Sequence, residues 1–384
     1  MKANRNRDDT HWMTRAMTLA RKGEGLTQPN PPVGAVVVRN GKIVGEGWHK
    51  KAGGPHAEVI ALDKAGAKAR GAALYVTLEP CSTTGRTPPC TERIRESGVA
   101  RVIVATTDPN PKHAGRGIRL LRRVGIDVVT NVCRAEGESL IEPFAKWITE
   151  GRPFVTLKLG ITVDGKIADR RGHSRWITGP QARQEVQALR RRVDAVMVGA
   201  GTVISDNPSL WPRPAKGREP LRVIVDGKGR ATASAQVFTD QYATHTIWAV
   251  NGSVAAKRKP RQTAHGARVW KIPTSRKAGV RSLLTQLGGE GVLHVLCEGG
   301  GELAESLIRS GCVDEFVFFL SPKIMGGRDS RPAVGGKGWL MADLPELKFL
   351  ECKPVGQDIL IRARPVLARA AKDTKDSKDL AVRS

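Results

Sequence analysis

Short apolar runs separated by polar turns alternate with amphipathic stretches along most of the chain. Apolar runs of about four to eight residues between turn residues indicate strands, whereas apolar positions three and four apart indicate helices. In the first 150 residues, Asn40-Gly41 is typical of a type I′ hairpin turn. The predicted strands in this part are 33–39, 42–48, 74–78, 101–106 and 126–129. The predicted helices are one capped by Thr10 and running to about Lys22, one from His56 to about Ala69, one from Cys90, one at 118–124 and a connecting helix at 136–150.

Gly151-Arg152-Pro153 interrupts this pattern because glycine and proline end helices, and a second alternating series follows. Its predicted strands are 154–159, 195–198, 221–225, 246–250, 268–272, 292–296, 315–320 and 358–362, and its predicted helices are 180–192, 280–287 and 302–310. Beyond residue 364 the charged sequence has no apolar periodicity. We therefore expect one domain at 1–150, a second at 151–364 and a disordered tail at 365–384.

The alternation of strands and helices predicts an α/β fold with mainly parallel sheets and helices on both faces. In such sheets, ligands bind where strands lead into helices. Side chains at these transitions are therefore the first candidates for chemistry.

Three residues in the first half have the pattern of a catalytic zinc site: His56, Cys81 and Cys90. Three protein ligands leave the fourth tetrahedral position open, whereas a structural zinc site has four protein ligands. Glu58 follows His56 by two residues and is placed to move protons between water and a substrate, as in zinc deaminases. A lone His or Cys is more often an ordinary buried residue. The combination at this spacing favours zinc, although eight residues between the two cysteines exceed the usual two.

The net charge of +26 and pI near 10.4 first indicate a nucleic-acid partner. Aromatic residues make up only 4% of the chain and do not interleave with the basic clusters, which favours a solvated basic surface. Six unevenly spaced cysteines do not form a disulfide framework, so we expect a reducing cytoplasm. The polar N-terminus predicts no secretory signal, and the absence of a long apolar run predicts no membrane association.

Two glycine-containing turns in the second half are candidates for phosphate binding. They are Gly199-Ala200-Gly201-Thr202 and Glu298-Gly299-Gly300-Gly301, and each follows a predicted strand. Glycines let backbone N–H groups approach a phosphate at a helix N-terminus. A simple tight turn explains either stretch about as well, so together they favour a nucleotide cofactor only moderately.

The chain resembles the bifunctional riboflavin-biosynthesis deaminase–reductases from about residue 10 to residue 364. The stretches that carry the resemblance in the first half are Asn30-Pro31-Pro32-Val33-Gly34, Pro55-His56-Ala57-Glu58, Thr77-Leu78-Glu79-Pro80-Cys81-Ser82, Gly85-Arg86-Thr87-Pro88-Pro89-Cys90 and Asp108-Pro109-Asn110-Pro111. Those in the second half are Leu157-Lys158-Leu159, Asp164-Gly165-Lys166-Ile167-Ala168, Ser174-Arg175-Trp176-Ile177-Thr178, Asp206-Asn207-Pro208 and the two glycine-containing turns. The long gap between Cys81 and Cys90 is this family's version of the deaminase signature.

The resemblance implies a cytidine-deaminase-like α/β/α sandwich followed by a dihydrofolate-reductase-like α/β domain. It implies a zinc-dependent hydrolytic deamination of 2,5-diamino-6-(5-phosphoribosylamino)pyrimidin-4-one, followed by NADPH-dependent reduction of the ribosyl chain to ribityl. Glu58 would transfer protons in the first reaction, and Asp206 would supply a proton in the second. The partner is thus a small phosphoribosylaminopyrimidine rather than a nucleic acid, and we expect a homo-oligomer.

The same resemblance implies the remaining site residues. Substrate-binding residues would be Asn30 and His49 in the deaminase and Lys158, Ser174, Arg190, Leu210, Arg213 and Glu298 in the reductase. NADPH-binding residues would be Gly160, Trp176, Thr202, Asp206 and the loop Gly300, Gly301, Glu302, Leu303, Ala304, Glu305 and Ser306. Without the resemblance, Lys158 and Arg190 would be interpreted as ordinary solvent-facing residues. One departure is Thr83, which stands between the zinc cysteines where the family usually has a histidine.

Two rival interpretations follow from the same residues. A nucleic-acid base deaminase with an accessory basic domain would use the same zinc chemistry and explain the charge. Direct binding of NADPH separates it from the bifunctional enzyme. A zinc-stabilised RNA-binding protein would make Glu58 incidental, so Glu58→Gln would leave its function intact.

Overall fold

The computed structural model describes residues 2–84, 88–215, 219–257 and 263–366. Its first sheet has five strands among these residues, in the order β2-β1-β3-β4-β5. The strands are β1 (Gly34–Arg39), β2 (Lys42–Trp48), β3 (Ala73–Leu78), β4 (Arg101–Thr106) and β5 (Asp127–Val129). The helices around it are α1 (Lys2–Ala20), α2 (Ala57–Ala65), α3 (Cys90–Ser97), α4 (Arg116–Arg123) and α5 (Arg134–Glu150).

This sheet is mixed rather than mainly parallel. The predicted hairpin is confirmed, since Asn40 and Gly41 both have positive φ, 51° and 69°, as a type I′ turn requires. A two-residue turn reverses the chain, so β2 runs antiparallel to β1. β1 is also antiparallel to β3, and only β3, β4 and β5 run parallel.

Apolar residues on the two faces of the sheet pack against different helices, because successive strand residues point to opposite faces. On one face, Val36 and Tyr75 pack with Met13 and Met17 of α1. The other face packs against α2, α3 and α4. The result is the expected α/β/α sandwich. The prediction that Thr10 caps the first helix is wrong, since α1 already begins at Lys2 and Thr10 lies inside it.

The second sheet has nine strands within the described ranges, in the order β11-β10-β9-β8-β12-β6-β13-β16-β15. Its strands are β6 (Phe154–Thr162), β8 (Ala195–Gly199), β9 (Leu221–Val225), β10 (Thr246–Asn251), β11 (Arg268–Ile272), β12 (His294–Cys297), β13 (Glu315–Ser321), β15 (Leu347–Val355) and β16 (Asp358–Pro365); β7 (Lys166–Ala168) and β14 (Arg331–Pro332) form a separate pair. The helices are α6 (Pro180–Arg190), α7 (Ala200–Asp206), α8 (Gln236–Thr239), α9 (Gly252–Lys257), α10 (Arg276–Gly289) and α11 (Gly301–Arg309).

All the strands from β11 to β13 in this sheet order run parallel, and β16 runs antiparallel to both of its neighbours, β13 and β15. Leucines of α10 and α11 cover one face, and residues of α7 and α8 cover the other. The sequence pattern does not predict β15, because this edge strand is largely exposed and lacks an alternating apolar pattern. The same pattern predicts a turn after Gly199, whereas a helix begins at Ala200.

The two halves meet at the end of α5. Gly151 adopts a left-handed conformation that ends this helix. Trp147 Nε1 donates a hydrogen bond of 2.8 Å to the carbonyl of Gly288, and Arg152 pairs with Asp314 at 3.0 Å. Pro365 is the last residue of β16, so this residue belongs to the sheet rather than to the predicted tail; residues 367–384 lie outside the described residues. No helix in the described part of the chain combines the length and apolarity needed to cross a membrane.

Candidate active sites

The three predicted zinc ligands converge at strand-to-helix transitions. His56 is the residue just before α2, Cys81 follows β3, and Cys90 is the first residue of α3. His56 Nδ1 lies 3.2 Å from Cys90 Sγ and 3.6 Å from Cys81 Sγ, and the three donor atoms lie within 4.8 Å of one another. Ligands of one tetrahedral Zn²⁺ are about 3.5–3.8 Å apart, as follows from metal–ligand distances of about 2.0–2.3 Å. Two thiols and one imidazole at this spacing fit a zinc ion.

Glu58 lies in the first turn of α2, beside these ligands, and only 3% of it is exposed. Burial raises the pKa of Glu58 to about 7, despite the opposing effect of His56. A carboxyl group that changes protonation near neutral pH can both accept and return a proton. Its neighbour Cys81 has a pKa lowered to about 4, chiefly by a hydrogen bond with Cys90. The Cys81–Cys90 pair therefore readily provides a thiolate, which is the form of cysteine that binds metal.

His49 and Asn30 stand next to the ligand cluster and bind each other. The His49 ring packs edge-on against His56, with ring centroids 5.2 Å apart. His49 Nδ1 lies 3.0 Å from the carbonyl of Pro55, which can only accept, so Nδ1 carries the proton. In the neutral ring, Nε2 then accepts a 3.0 Å hydrogen bond from Asn30 Nδ2. This bond fixes the orientation of the Asn30 amide, whose oxygen remains able to accept from a substrate.

Glu79 holds the loop that carries Cys81, a role that the sequence motif did not reveal. Its buried carboxylate accepts backbone N–H groups of Asp108 at 3.2 Å, Gly115 at 2.8 Å and Ile118 at 3.3 Å. It thereby joins β3 to the start of α4. At Gly117 a β-carbon would lie 2.1 Å from the carbonyl of Pro80, so only glycine fits there. The position of Cys81 thus depends on the hydrogen bonds of Glu79 and on the close packing of Gly117 against Pro80, as well as on the local sequence motif.

The second candidate site is a cavity of about 1760 Å³ at the carboxyl ends of the parallel strands in the large sheet. Single ligand pockets usually measure about 300–1,000 Å³. This cavity is therefore large enough for a cofactor and a substrate together. Both glycine-containing turns border it, and each leads directly into a helix, α7 or α11.

A buried triad of charges lies in this cavity. Glu298 is 8% exposed and receives two hydrogen bonds from Arg190, through Nε and through Nη2, the latter at 3.0 Å. Lys158 Nζ lies 3.5 Å from the same carboxylate. Burial alone would raise the pKa of Glu298, but Arg190 and Lys158 hold it at about 2. Lys158 and Arg190 are thus not solvent-facing residues, contrary to what the sequence alone would suggest.

Asp206, the last residue of α7, makes a second set of polar contacts in the cavity. Its carboxylate accepts the Ser174 hydroxyl at 3.1 Å, and its backbone carbonyl accepts Arg175 Nη2 at 2.5 Å. Trp176 is 61% exposed at the cavity wall, with the Arg183 guanidinium 4.5 Å from its ring centroid. An exposed aromatic face held in this way can stack on a flat ligand ring.

Most of the other predicted reductase residues also border the cavity. They are Gly160, Thr202, Leu210, Arg213, Gly300, Gly301, Glu302, Leu303 and Ser306. The segment from Gly301 onward is the first turns of α11 rather than a loop. Because a helix presents only one side to a cavity, Ala304 is buried in the core and Glu305 pairs with Arg309 instead.

The glycines of the second turn allow the backbone to come close to other groups. Gly299 and Gly300 have φ of 87° and 91°, which favours glycine. A β-carbon at Gly301 would lie 2.7 Å from the carbonyl of Pro332. Two helix N-termini and glycine backbone on one cavity wall suit the phosphates of a dinucleotide. The cavity therefore fits a nucleotide cofactor such as NADPH.

Comparison with known proteins finds a matching protein family for each half of the chain. Residues 153–361 match the RibD C-terminal domain, and residues 6–106 match the cytidine and deoxycytidylate deaminase zinc-binding region. The chain is 43% identical over 374 residues to the riboflavin biosynthesis protein RibD of Bacillus amyloliquefaciens, covering 97% of this chain and 99% of that protein. It is 45% identical to RibD of Aquifex aeolicus, covering 83% of this chain and 88% of that protein.

Solved structures of similar proteins agree with these sequence matches. A diaminohydroxyphosphoribosylaminopyrimidine deaminase/5-amino-6-(5-phosphoribosylamino)uracil reductase from Thermotoga maritima superposes with a TM-score of 0.85 at 38% identity, over 94% of this chain and all of that one. RibD from Acinetobacter baumannii superposes with a TM-score of 0.83 at 36% identity, covering 94% of this chain and 99% of that one. A cytidine-deaminase-like domain and a RibD reductase domain are therefore both present. The chain belongs to the RibD family and is a bifunctional deaminase and reductase of riboflavin biosynthesis.

Proposed function

We propose that this enzyme deaminates 2,5-diamino-6-(5-phosphoribosylamino)pyrimidin-4-one and then reduces the ribosyl chain of the product to ribityl, with Zn²⁺ and NADPH as cofactors. The single observation that carries the proposal is the pairing of a three-ligand metal site beside buried Glu58 with a cavity large enough for a dinucleotide and a substrate. The Thermotoga maritima protein, a diaminohydroxyphosphoribosylaminopyrimidine deaminase/5-amino-6-(5-phosphoribosylamino)uracil reductase, supports the choice of substrate.

In the deaminase, His56, Cys81 and Cys90 would hold the zinc ion. Zinc, when bound, supplies a Lewis acid that makes water a stronger acid. Glu58 accepts a proton from the attacking water and returns it to the departing amino group, so that ammonia leaves C2 of the pyrimidine. Asn30, oriented by His49, binds the pyrimidine or the sugar. Burial of Glu58 supports this role, because it keeps the carboxyl close to its protonation midpoint at neutral pH.

In the reductase, Lys158, Ser174, Arg190, Leu210, Arg213 and Glu298 bind the substrate. NADPH, when bound, supplies a hydride. The residues that bind the cofactor are those of the predicted set that line the cavity: Gly160, Trp176, Thr202, Asp206, Gly300, Gly301, Glu302, Leu303 and Ser306. Opening the ribosyl ring to ribityl also requires one proton at the ring oxygen, and we assign its delivery to Asp206. Its hydrogen bond with Ser174 supports this assignment, since it connects the carboxyl to a substrate-binding hydroxyl.

The test is incubation of the purified enzyme with the diaminopyrimidine phosphate, with and without NADPH, followed by mass spectrometry. Without NADPH, we expect only the product in which oxygen replaces one amino group. With NADPH, that product should gain two hydrogens. An unchanged substrate in both reactions would refute the proposal.

A second experiment tests whether the two reactions use separate sites. We expect Asp206→Asn to slow reduction of the deaminated intermediate by about 10²–10⁴-fold, the usual contribution of a general acid, without changing deamination. Equal losses in both half-reactions would contradict separate sites. Asp329→Asn, the same change at an exposed carboxylate that does not line the cavity, is the control.

We further infer that residues 1–150 form the deaminase domain and residues 151–364 the reductase domain. The end of α5 at Glu150 and the separate sheets on its two sides support this division. A reducing cytoplasm would keep Cys81 and Cys90 available as metal ligands, and we place the enzyme there.

We also infer a homo-oligomer. Phe349 on edge strand β15 is 68% exposed, and Met341 and Leu340 nearby in sequence are exposed as well. An unpaired edge strand with apolar side chains favours contact with a second copy. Light scattering during gel filtration tests this inference, and a monomer mass at micromolar concentration would refute it.

A further inference from the structure

The loop of residues 207–213 carries two of the predicted substrate-binding residues, Leu210 and Arg213, and both line the large cavity. Leu210 has a φ of 58°, in the left-handed region. Leucine disfavours this conformation, because its β-carbon comes too close to a carbonyl oxygen. Such backbone persists only where the surrounding structure holds it, and it is concentrated at ligand-binding sites. The groups that hold this loop therefore also place Leu210 and Arg213.

Arg222, on β9, is one of the groups that hold the loop. Its side chain is fully buried, and its Nη1 donates a hydrogen bond of 3.0 Å to the carbonyl of Ser209, the residue before Leu210. Its other N–H groups bind Asp240 at 2.7 and 2.8 Å, the carbonyl of Val237 at 2.8 Å and Thr246 Oγ1 at 3.0 Å. All five N–H donors of an arginine are thus used.

The partners of Arg222 belong to different parts of the domain. Val237 lies in α8, Asp240 follows this helix, and Thr246 is the first residue of β10. A buried guanidinium is stable only when it is paired and hydrogen-bonded, and its planar fork fixes the directions of those bonds. Arg222 therefore sets the position of the Ser209 carbonyl relative to the sheet and α8.

A ring stack holds the loop on the other side of Leu210. Trp211 is 5% exposed and stacks on Tyr242, with ring centroids 3.8 Å apart and the ring planes inclined by 7°. Asp240 Oδ1, which accepts a hydrogen bond from Arg222, also accepts the backbone N–H of Tyr242 at 3.1 Å. The ion pair and the ring stack are therefore parts of one support for the loop.

We propose that Arg222 and Asp240 are positioning residues of the reductase, which hold residues 207–213 so that Leu210 and Arg213 bind the substrate. This inference rests on the proposed function, which assigns substrate binding to those two loop residues. When the loop leaves this position, the fraction of enzyme that is ready to bind substrate falls, and the apparent affinity falls by the same factor. The KM for the substrate therefore depends on the support, whereas kcat at saturation and the affinity for NADPH do not.

The test is reduction of the deaminated intermediate by the full-length enzyme, with KM and kcat measured separately. Arg222→Lys keeps a positive charge beside Asp240 but loses the fork that reaches Ser209. The KM for the intermediate should rise by about tenfold to a hundredfold, the usual range for one hydrogen bond to a charged group, with kcat and the Kd for NADPH within about twofold of wild type. Tyr242→Leu removes the ring stack without changing a buried charge, and it should raise the same KM by about threefold to tenfold.

Val223→Ala is the matched control. Val223 is the buried neighbour of Arg222 on β9, but its side chain lies in the core on the opposite face of the sheet from Leu210. This variant should lower the free energy of unfolding and leave the KM unchanged, because a purely structural loss does not move the loop.

A KM within about twofold of wild type in folded Arg222→Lys would overturn this inference, and so would an equal rise of KM in Val223→Ala. If Arg222→Lys does not fold, Tyr242→Leu decides in the same way, since an unchanged KM in that variant excludes the support. Wild-type enzyme that does not reduce the deaminated intermediate would overturn the proposed reductase function instead, so the two failures are distinguishable.

Discussion

The two candidate active sites of this enzyme are built in opposite ways. In the deaminase half, the three candidate metal ligands and Glu58 come from residues 56–90 of the chain, and the three donor atoms lie within 4.8 Å of one another. The reductase site is a cavity of about 1760 Å³, whose wall combines residues separated by more than a hundred positions, such as Arg190 and Glu298. A compact metal site depends on a few ligand atoms, whereas a two-ligand cavity depends on the arrangement of a whole sheet.

The buried glutamates of the two sites show the same contrast. Among the residues that the structure describes, Glu58 has no cation comparable to those around Glu298, and burial raises its pKa to about 7. The side chain of Glu298 is also largely buried, with 8% exposed, but Arg190 and Lys158 hold its pKa at about 2. Burial without strong pairing makes a carboxyl that exchanges protons, and burial with two cations makes a permanent charge. The first suits proton transfer, and the second suits binding and positioning.

The largest effect is expected from Cys81→Ser. Serine is a poor zinc ligand, and two protein ligands hold Zn²⁺ weakly, so zinc content should fall from one ion per chain to nearly none, with loss of deamination. Reduction should continue, because its cavity lies in the other half. Elemental analysis and separate assays of the two half-reactions measure this. Cys352→Ser, at an exposed cysteine on β15, is the control. Full zinc retention in Cys81→Ser would remove Cys81 from the ligand set.

Glu58→Gln should lower the deamination rate by about 10²–10⁴-fold, the usual contribution of a general acid–base group. Glutamine keeps the size of the side chain but cannot carry the proton, so zinc content and reduction should remain normal. Steady-state deaminase assays with zinc analysis test this. Near-normal turnover would exclude Glu58 from the chemistry.

Glu298→Gln should destabilise the fold by about 3–5 kcal/mol at pH 7, because Arg190 and Lys158 would remain buried without their partner. Since the folded pKa of Glu298 is about 2, below its ordinary value of 4.5, its ionised form stabilises the fold above about pH 4.5. That contribution is lost as the pH falls through about 2. The difference in urea unfolding free energy between variant and wild type should therefore shrink between pH 4.5 and 2.

Glu185→Gln, at an exposed position of α6, is the control for this experiment. It should change the unfolding free energy by less than about 0.5 kcal/mol at any pH. A constant difference between Glu298→Gln and wild type over the whole pH range would contradict the charged state of Glu298.

The smallest effect is expected from Thr83→His. Thr83 is exposed on the loop after Cys81, and an imidazole there can donate a hydrogen bond to the substrate. One such hydrogen bond should lower the KM for deamination by about threefold to a hundredfold. Thr84→His, one residue further along the same loop, is the control. An unchanged KM would mean that another group makes this contact; Arg86, the alternative, lies outside the described residues.

Local sequence patterns predicted most of the elements but not their arrangement. The strands 221–225 and 268–272 have the predicted bounds, because short apolar runs between turn residues depend only on the neighbouring chain. The predicted helix start at Thr10 is wrong, because a threonine inside a longer helix cannot be distinguished by sequence from one that caps the start of a helix. The exposed edge strand β15 left no periodic signal at all.

The sequence by itself determined the deaminase chemistry, because His56, Glu58, Cys81 and Cys90 lie on short elements whose ends meet at one edge of a sheet. Only the tertiary structure decided that Lys158 and Arg190 face Glu298. Their side chains meet because β12 lies beside β6 in the sheet and α6 ends next to both, although 108 residues separate Arg190 from Glu298. Metal-ligand spacing is a property of nearby residues, whereas pairing between distant charges depends on strand order, which the packing of the whole domain sets.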